Sequence, residues 1–167
     1  MGEPAADAPR EVLTWEGFGV AGRELAQIVV DSGFVPDVVL AIARGGLPVA
    51  GSIAYALPAK NCFVINVEYY TGIGETRDLP VILPPYVDAK DLAGMKVLLV
   101  DDVADSGHTL KLVQEEMRPQ VAELRTAVLY QKPHSIVQCE YSWKETDRWI
   151  VFPWSADKPI LDGVRDA

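Results

Sequence analysis

Val97-Leu98-Leu99-Val100-Asp101-Asp102-Val103-Ala104-Asp105-Ser106-Gly107-His108-Thr109-Leu110 is the stretch that decides how this chain folds. Lys96 to Val100 carries four apolar residues in a row, the pattern of a strand buried on both faces. Small and acidic residues then break the run, and Thr109 to Met117 reads as a helix stopped by Pro119. The unit is strand, tight loop, helix. Backbone N–H groups of Ser106 to Thr109 gather at the helix's positive end, where a phosphate is held well. Asp101 and Asp102 together suit a vicinal diol and a hydrated magnesium ion. Asp105 follows one turn on, where a carboxylate can exchange a proton with a ligand. Paired aspartates also serve as plain helix caps. The pair, the third aspartate and the S-G-x-T loop in one register favour a ligand site.

Working outward, Val38 to Ile42 is a second branched apolar run, ending at Arg44-Gly45-Gly46-Leu47-Pro48 and followed by a predicted helix, Val49 to Leu57. Phe63 to Val67 and Leu124 to Tyr130 are further strands. Ahead of them, Thr14 caps a helix to about Asp31, with Phe18, Ala21, Leu25, Ile28 and Val29 on one side. Strands alternating with helices predict an α/β fold. Its parallel sheet is covered by helices on both faces, with ligands at the carboxyl ends of the strands. Between 69 and 93 the pattern dissolves into glycines and prolines around a short apolar run, Val81 to Leu83. A connection that long is expected to be a mobile lid. Residues 1–12 are expected to be a flexible leader and 13–167 one domain, with 132–160 a small subdomain over the active edge.

The chain has 167 residues and a formal net charge of -9, which speaks against a general nucleic-acid binder. Cys62 and Cys139 stand far apart in no CxxC pair, so neither a disulfide framework nor a zinc site is expected. No apolar run approaches the roughly 20 residues that span a bilayer. The expectation is a cytoplasmic protein without a membrane partner.

The central segment resembles, position by position, the signature with which type I phosphoribosyltransferases bind 5-phosphoribosyl 1-diphosphate (PRPP). That resemblance implies that Asp101 and Asp102 hold the ribose hydroxyls with Mg²⁺. It implies that Asp105, Ser106, Gly107, His108 and Thr109 hold the 5-phosphate, and that Asp105 faces the incoming base as the catalytic carboxylate. His108 departs from the glycine or lysine that purine relatives commonly carry. Ala43-Arg44-Gly45-Gly46 is similar to the family's diphosphate loop, and the likeness implies a cis peptide at Ala43–Arg44. Lys132, after the fourth strand, resembles the lysine that xanthine-guanine and hypoxanthine-guanine enzymes set against the purine O6. An ammonium donates to a carbonyl oxygen and rejects an amino group, so it selects against adenine. The segment Asp147 to Trp154 is similar to the same enzymes' C-terminal segment, which implies Trp149 as a stacking platform and Ile150 as a backbone contact to the base. Trp154 is expected in the core or at an interface. Glu68-Tyr69-Tyr70-Thr71 departs from close purine relatives.

The function implied is purine salvage, the Mg²⁺-dependent transfer of a phosphoribosyl group from PRPP to guanine, xanthine or hypoxanthine, by a homodimer or homotetramer. Three other readings stand beside it. One is a PRPP-binding regulator of the same fold without base turnover, which Lys132 and Trp149 disfavour. Another is a different base such as orotate. The third is a receiver-like domain, which needs a phosphorylatable aspartate on a separate strand end, where this chain offers Arg44 and Glu68.

Overall fold

The computed structural model describes residues 9–70, 79–83 and 89–160. Its centre is a six-stranded sheet made of β2 (Val38–Ala43), β3 (Cys62–Tyr70), β4 (Leu79–Leu83), β5 (Lys96–Ala104), β6 (Glu123–Gln131) and β7 (Tyr141–Glu145), in the order β4-β3-β2-β5-β6-β7. All neighbours are parallel except the edge strand β4, which pairs antiparallel with β3, Val67 opposite Ile82. The expected parallel sheet therefore carries an antiparallel edge. Part of the expected 69–93 lid is that ordered strand; 71–78 and 84–88 lie outside the described residues.

Alternation along the strands divides the core into two layers. Val39, Ala41, Leu98 and Val100 face α1 (Trp15–Asp31) and α2 (Gly46–Ala56). Val38, Leu40, Val97 and Leu99 face α3 (His108–Met117). Leu25, Leu40, Leu98 and Leu99 are fully buried, each contributing roughly 1.5–3 kcal/mol of transfer free energy. Thr14 caps α1 as expected, its Oγ1 accepting from the Gly17 N–H at 3.1 Å. Buried positions of α1 are Ala21, Gly22, Leu25, Ala26 and Val29, whereas Ile28 is turned outward, because the helix presents a narrower stripe than its apolar content suggests. Helix α2 begins three residues before the expected Val49, since Pro48 sits within its first turn, where a missing N–H leaves no helical bond unmade.

Of the expected 1–12 leader, 1–8 lie outside the described residues and 10–12 are a strand. Arg10–Val12 forms β1, which pairs in parallel with β8 (Trp149–Val151), Glu11 opposite Ile150. The Leu13 N–H donates to the Val151 carbonyl at 3.0 Å, and Glu11 forms an ion pair with Lys144. This two-stranded ribbon stands beside the carboxyl end of the main sheet and sets one wall of the cavity described next.

Candidate active site

Strand β5 runs four residues past the apolar core, so it delivers Asp101 and Asp102 half-buried. The Asp102 N–H donates to the Asp101 carboxylate at 2.9 Å. Burial holds the Asp101 proton well above the usual carboxylate range, and the charge of Asp102 adds to this. Burial likewise pushes Asp102 up to about 6, against a hydrogen bond from the Trp154 side chain that favours the carboxylate. Two carboxyl groups left short of water and of countercharge form a donor set for a cation or for sugar hydroxyls. Asp102→Asn is therefore expected to stabilise the ligand-free protein by roughly 2 kcal/mol at about pH 7.5. The folded chain keeps the Asp102 proton to higher pH than the unfolded chain, so ionisation opposes folding above about 6 and fades toward the ordinary 3.8. Thermal unfolding from about pH 4 to 8 checks this: the two curves should converge at the acid end. A variant no more stable than wild type at neutral pH contradicts it.

Beyond Asp102 the chain turns through Gly107, whose φ of 84° lies in the left-handed region that glycine alone adopts without strain. A Cβ there would sit 2.6 Å from Ser135 Oγ and 2.9 Å from the Val137 N. The loop is thus pressed under the segment after β6, and the Ile136 N–H donates to the Ser106 carbonyl at 3.0 Å. Helix α3 opens at His108, so the amides that follow Gly107 gather at its positive end. The His108 Nδ1 lies 3.0 Å from Ser106 Oγ, and the ring is exposed.

The Ala43–Arg44 peptide is cis. Arg44 is exposed at the end of β2, and the two glycines after it lie against β5. A Cβ on Gly45 would fall 2.2 Å from Asp102 Oδ2, and one on Gly46 would fall 2.4 Å from the Val100 carbonyl oxygen. The structure thus brings together the two loops that lie far apart in sequence, 43–46 and 101–109, at one sheet edge. Glycine is what lets them touch.

Next to them lies a cavity of about 520 Å³ lined by Val103, Asp105, Lys132, Trp149, Ile150 and Phe152, among others. That volume falls within the usual range for small-molecule sites. Lys132 is buried, its N–H donating to the Ala104 carbonyl at 3.0 Å and its ammonium to the Arg148 carbonyl. Trp149 and Ile150 are half-buried on β8.

Sequence reasoning missed three contributors. Trp154 reaches Asp102, and its ring also stacks on Phe152 at 4.9 Å and meets Phe18 edge-on at 5.2 Å. Pro9 lines the cavity because β1 carries it there. His134 lines it too, its Nε2 standing 3.2 Å from Asp105 Oδ1. Its place beside Lys132 in the chain was the one available signal.

Among the described residues no helix is long and apolar enough to cross a membrane. No group of three His, Cys, Asp or Glu among them could hold a metal ion by itself.

Comparison with known proteins identifies the family and the fold. Residues 10–158 match the phosphoribosyl transferase domain family. A xanthine-guanine phosphoribosyltransferase of Roseobacter denitrificans is 33% identical over 164 residues, covering 92% of this chain and 89% of that protein. One from Gluconobacter oxydans is 31% identical over 144 residues, covering 85% and 82%. The crystal structure of a purine phosphoribosyltransferase from Pyrococcus horikoshii superposes with a TM-score of 0.77 at 35% identity, covering 92% of this chain and 98% of that one. A largely parallel sheet flanked by helices is the fold shared with that structure. This chain belongs to the phosphoribosyltransferase family.

Proposed function

We propose that this protein transfers the 5-phosphoribosyl group of PRPP to a 6-oxopurine base, releasing diphosphate. The observation that carries the reading is the meeting of the 43–46 loop, the β5 acid pair and the 105–109 turn beside a cavity holding Lys132 and Trp149. Ser106, Gly107, His108 and Thr109 surround the 5-phosphate at the start of α3. Asp101 and Asp102 face the ribose hydroxyls, and Ala43, Arg44, Gly45 and Gly46 receive the diphosphate. Xanthine-guanine activity in the names of the curated relatives supports a 6-oxopurine as the acceptor.

The residues present fit a magnesium ion shared with the substrate. Asp101 and Asp102, adjacent at the end of β5 and short of water, would hold a hydrated magnesium ion. When bound, Mg²⁺ neutralises charge on the departing diphosphate. The protein's own part is positional. It pins the sugar at both ends, holds the base against Trp149, and sets Asp105 near the ring N–H that must lose its proton.

The Lys132 ammonium, tied to the Arg148 carbonyl, donates to the base carbonyl oxygen. Lys132→Ala is expected to raise KM for the 6-oxopurine by roughly 10- to 100-fold, leaving KM for PRPP nearly unchanged. Unchanged base preference would make Lys132 structural. The transferase reading is tested by diphosphate release with PRPP, Mg²⁺ and a panel of guanine, xanthine, hypoxanthine, adenine and orotate. Turnover of the first three is expected; PRPP binding without turnover of any base would favour a regulator.

A further inference from the structure

Asp105 has a side-chain partner, His134, at the rim of the cavity. After β6 the chain makes a tight turn, Lys132-Pro133-His134-Ser135, closed by the Ser135 N–H donating to the Lys132 carbonyl at 3.1 Å. Pro133 fixes φ at its second position. The turn is tied on both sides to the loop between β5 and α3. The Lys132 N–H donates to the Ala104 carbonyl at 3.0 Å, and the Ile136 N–H donates to the Ser106 carbonyl at 3.0 Å. Those two anchors bracket Asp105. His134 Nε2 therefore stands 3.2 Å from Asp105 Oδ1, with the imidazole side chain 60% exposed and the carboxylate 34%. Both line the cavity that holds Lys132 and Trp149. Both groups thus face the base cavity, and the imidazole also reaches water.

We propose that His134 is the positioning residue of Asp105 and the outlet for its proton, an inference that rests on the transferase reading. The imidazole fixes one carboxylate oxygen so that the other faces the base. As a purine ring nitrogen bonds to ribose C1, the C1–O bond to diphosphate breaks. The N–H bond of the base breaks too, and its proton passes to Asp105. At rest the His134 Nε2–H donates to Asp105 Oδ1. Once Asp105 is protonated, the exposed ring exchanges through water to its Nδ1–H tautomer, takes the Asp105 proton on Nε2 and gives the Nδ1 proton to solvent. That restores both the carboxylate and the starting tautomer. Other charged groups around the cavity are Lys132 on the same turn, and Asp147 and Arg148 from the β7–β8 connection.

His134→Ala and His134→Gln, each made in wild type and in Asp105→Asn, test this through kcat and KM for PRPP and guanine. His134→Ala should lower kcat roughly 10-fold, leave KM for PRPP nearly unchanged, and unfold at the wild-type temperature. Glutamine keeps a donor at similar reach but cannot relay a proton. It should restore part of kcat while flattening the pH–rate limb that the imidazole relay contributes. In Asp105→Asn the alanine substitution should cost nothing more. Unchanged kcat and pH profile in both single variants would overturn the proposal, as would an undiminished loss in the Asp105→Asn background. Wild-type turnover beside unaltered variants sinks only the role of His134. Wild-type silence on every base sinks the transferase reading as well.

Discussion

Asp105→Asn is expected to lower turnover by roughly two to four orders of magnitude, the usual contribution of a positioned acid–base group. KM for PRPP should change little. Asparagine preserves shape and one hydrogen-bonding oxygen, so the loop and its neighbours keep their geometry. What it loses is the capacity to accept a proton from the base. Asp105 is placed for that task by two backbone anchors, the Lys132 N–H on the Ala104 carbonyl and the Ile136 N–H on the Ser106 carbonyl. Neither depends on the carboxylate. Steady-state kinetics with a saturating 6-oxopurine separate kcat from KM. Near-normal kcat would remove Asp105 from proton handling, and a matching collapse of PRPP affinity would make it a phosphate-loop residue only.

Gly46→Ala should have the largest effect on stability of any single methyl added to this chain's site. The new Cβ would lie 2.4 Å from the Val100 carbonyl oxygen and 3.1 Å from the Asp101 Cα, both backbone atoms of the central strand. No flexible side chain is there to give way. Either the start of α2 lifts from β5 or β5 shifts, and either movement disturbs the 43–46 loop and the acid pair together. A loss of roughly 3–5 kcal/mol is expected, seen as a fall in Tm of roughly 10 °C or more. Gly51→Ala is the control. It lies on the same helix, exposed and with nothing within 4 Å of its Cβ, and should gain roughly 0.5–1 kcal/mol of helix propensity. Equal Tm for the two variants would contradict the close packing of the loop on the strand.

The contrast between those glycines shows where sequence reading works and where it stops. Val38 to Ile42, Val97 to Val100 and Leu124 to Tyr130 announce buried strands by composition alone, and all three lie in the central sheet. The loop after Val100 is legible because acids, small residues and a helix start fall in one register. Strand ends were less visible. Strand β5 continues to Ala104 through the two aspartates because β6 offers backbone partners there, Val103 opposite Tyr130, whatever the polarity of the side chains. Arg10–Val12 gave no periodic signal, since three residues are too few and their partner β8 lies at the other end of the chain. Contacts between distant segments escaped for the same reason. The Trp154 bond to Asp102 and the approach of His134 to Asp105 both depend on how turns stack at the mouth of the sheet. Ile28 shows the reverse error, an apolar residue at helical spacing that the packing leaves half outside.

A crystal structure with PRPP and Mg²⁺ bound is the direct test of where the sugar sits. The 5-phosphate should rest on the amides of Ser106 to Thr109, the ribose hydroxyls on Asp101 and Asp102, and the diphosphate on Arg44 to Gly46. PRPP bound elsewhere, with that turn bare and its N–H groups directed into the protein, would contradict the account at its centre.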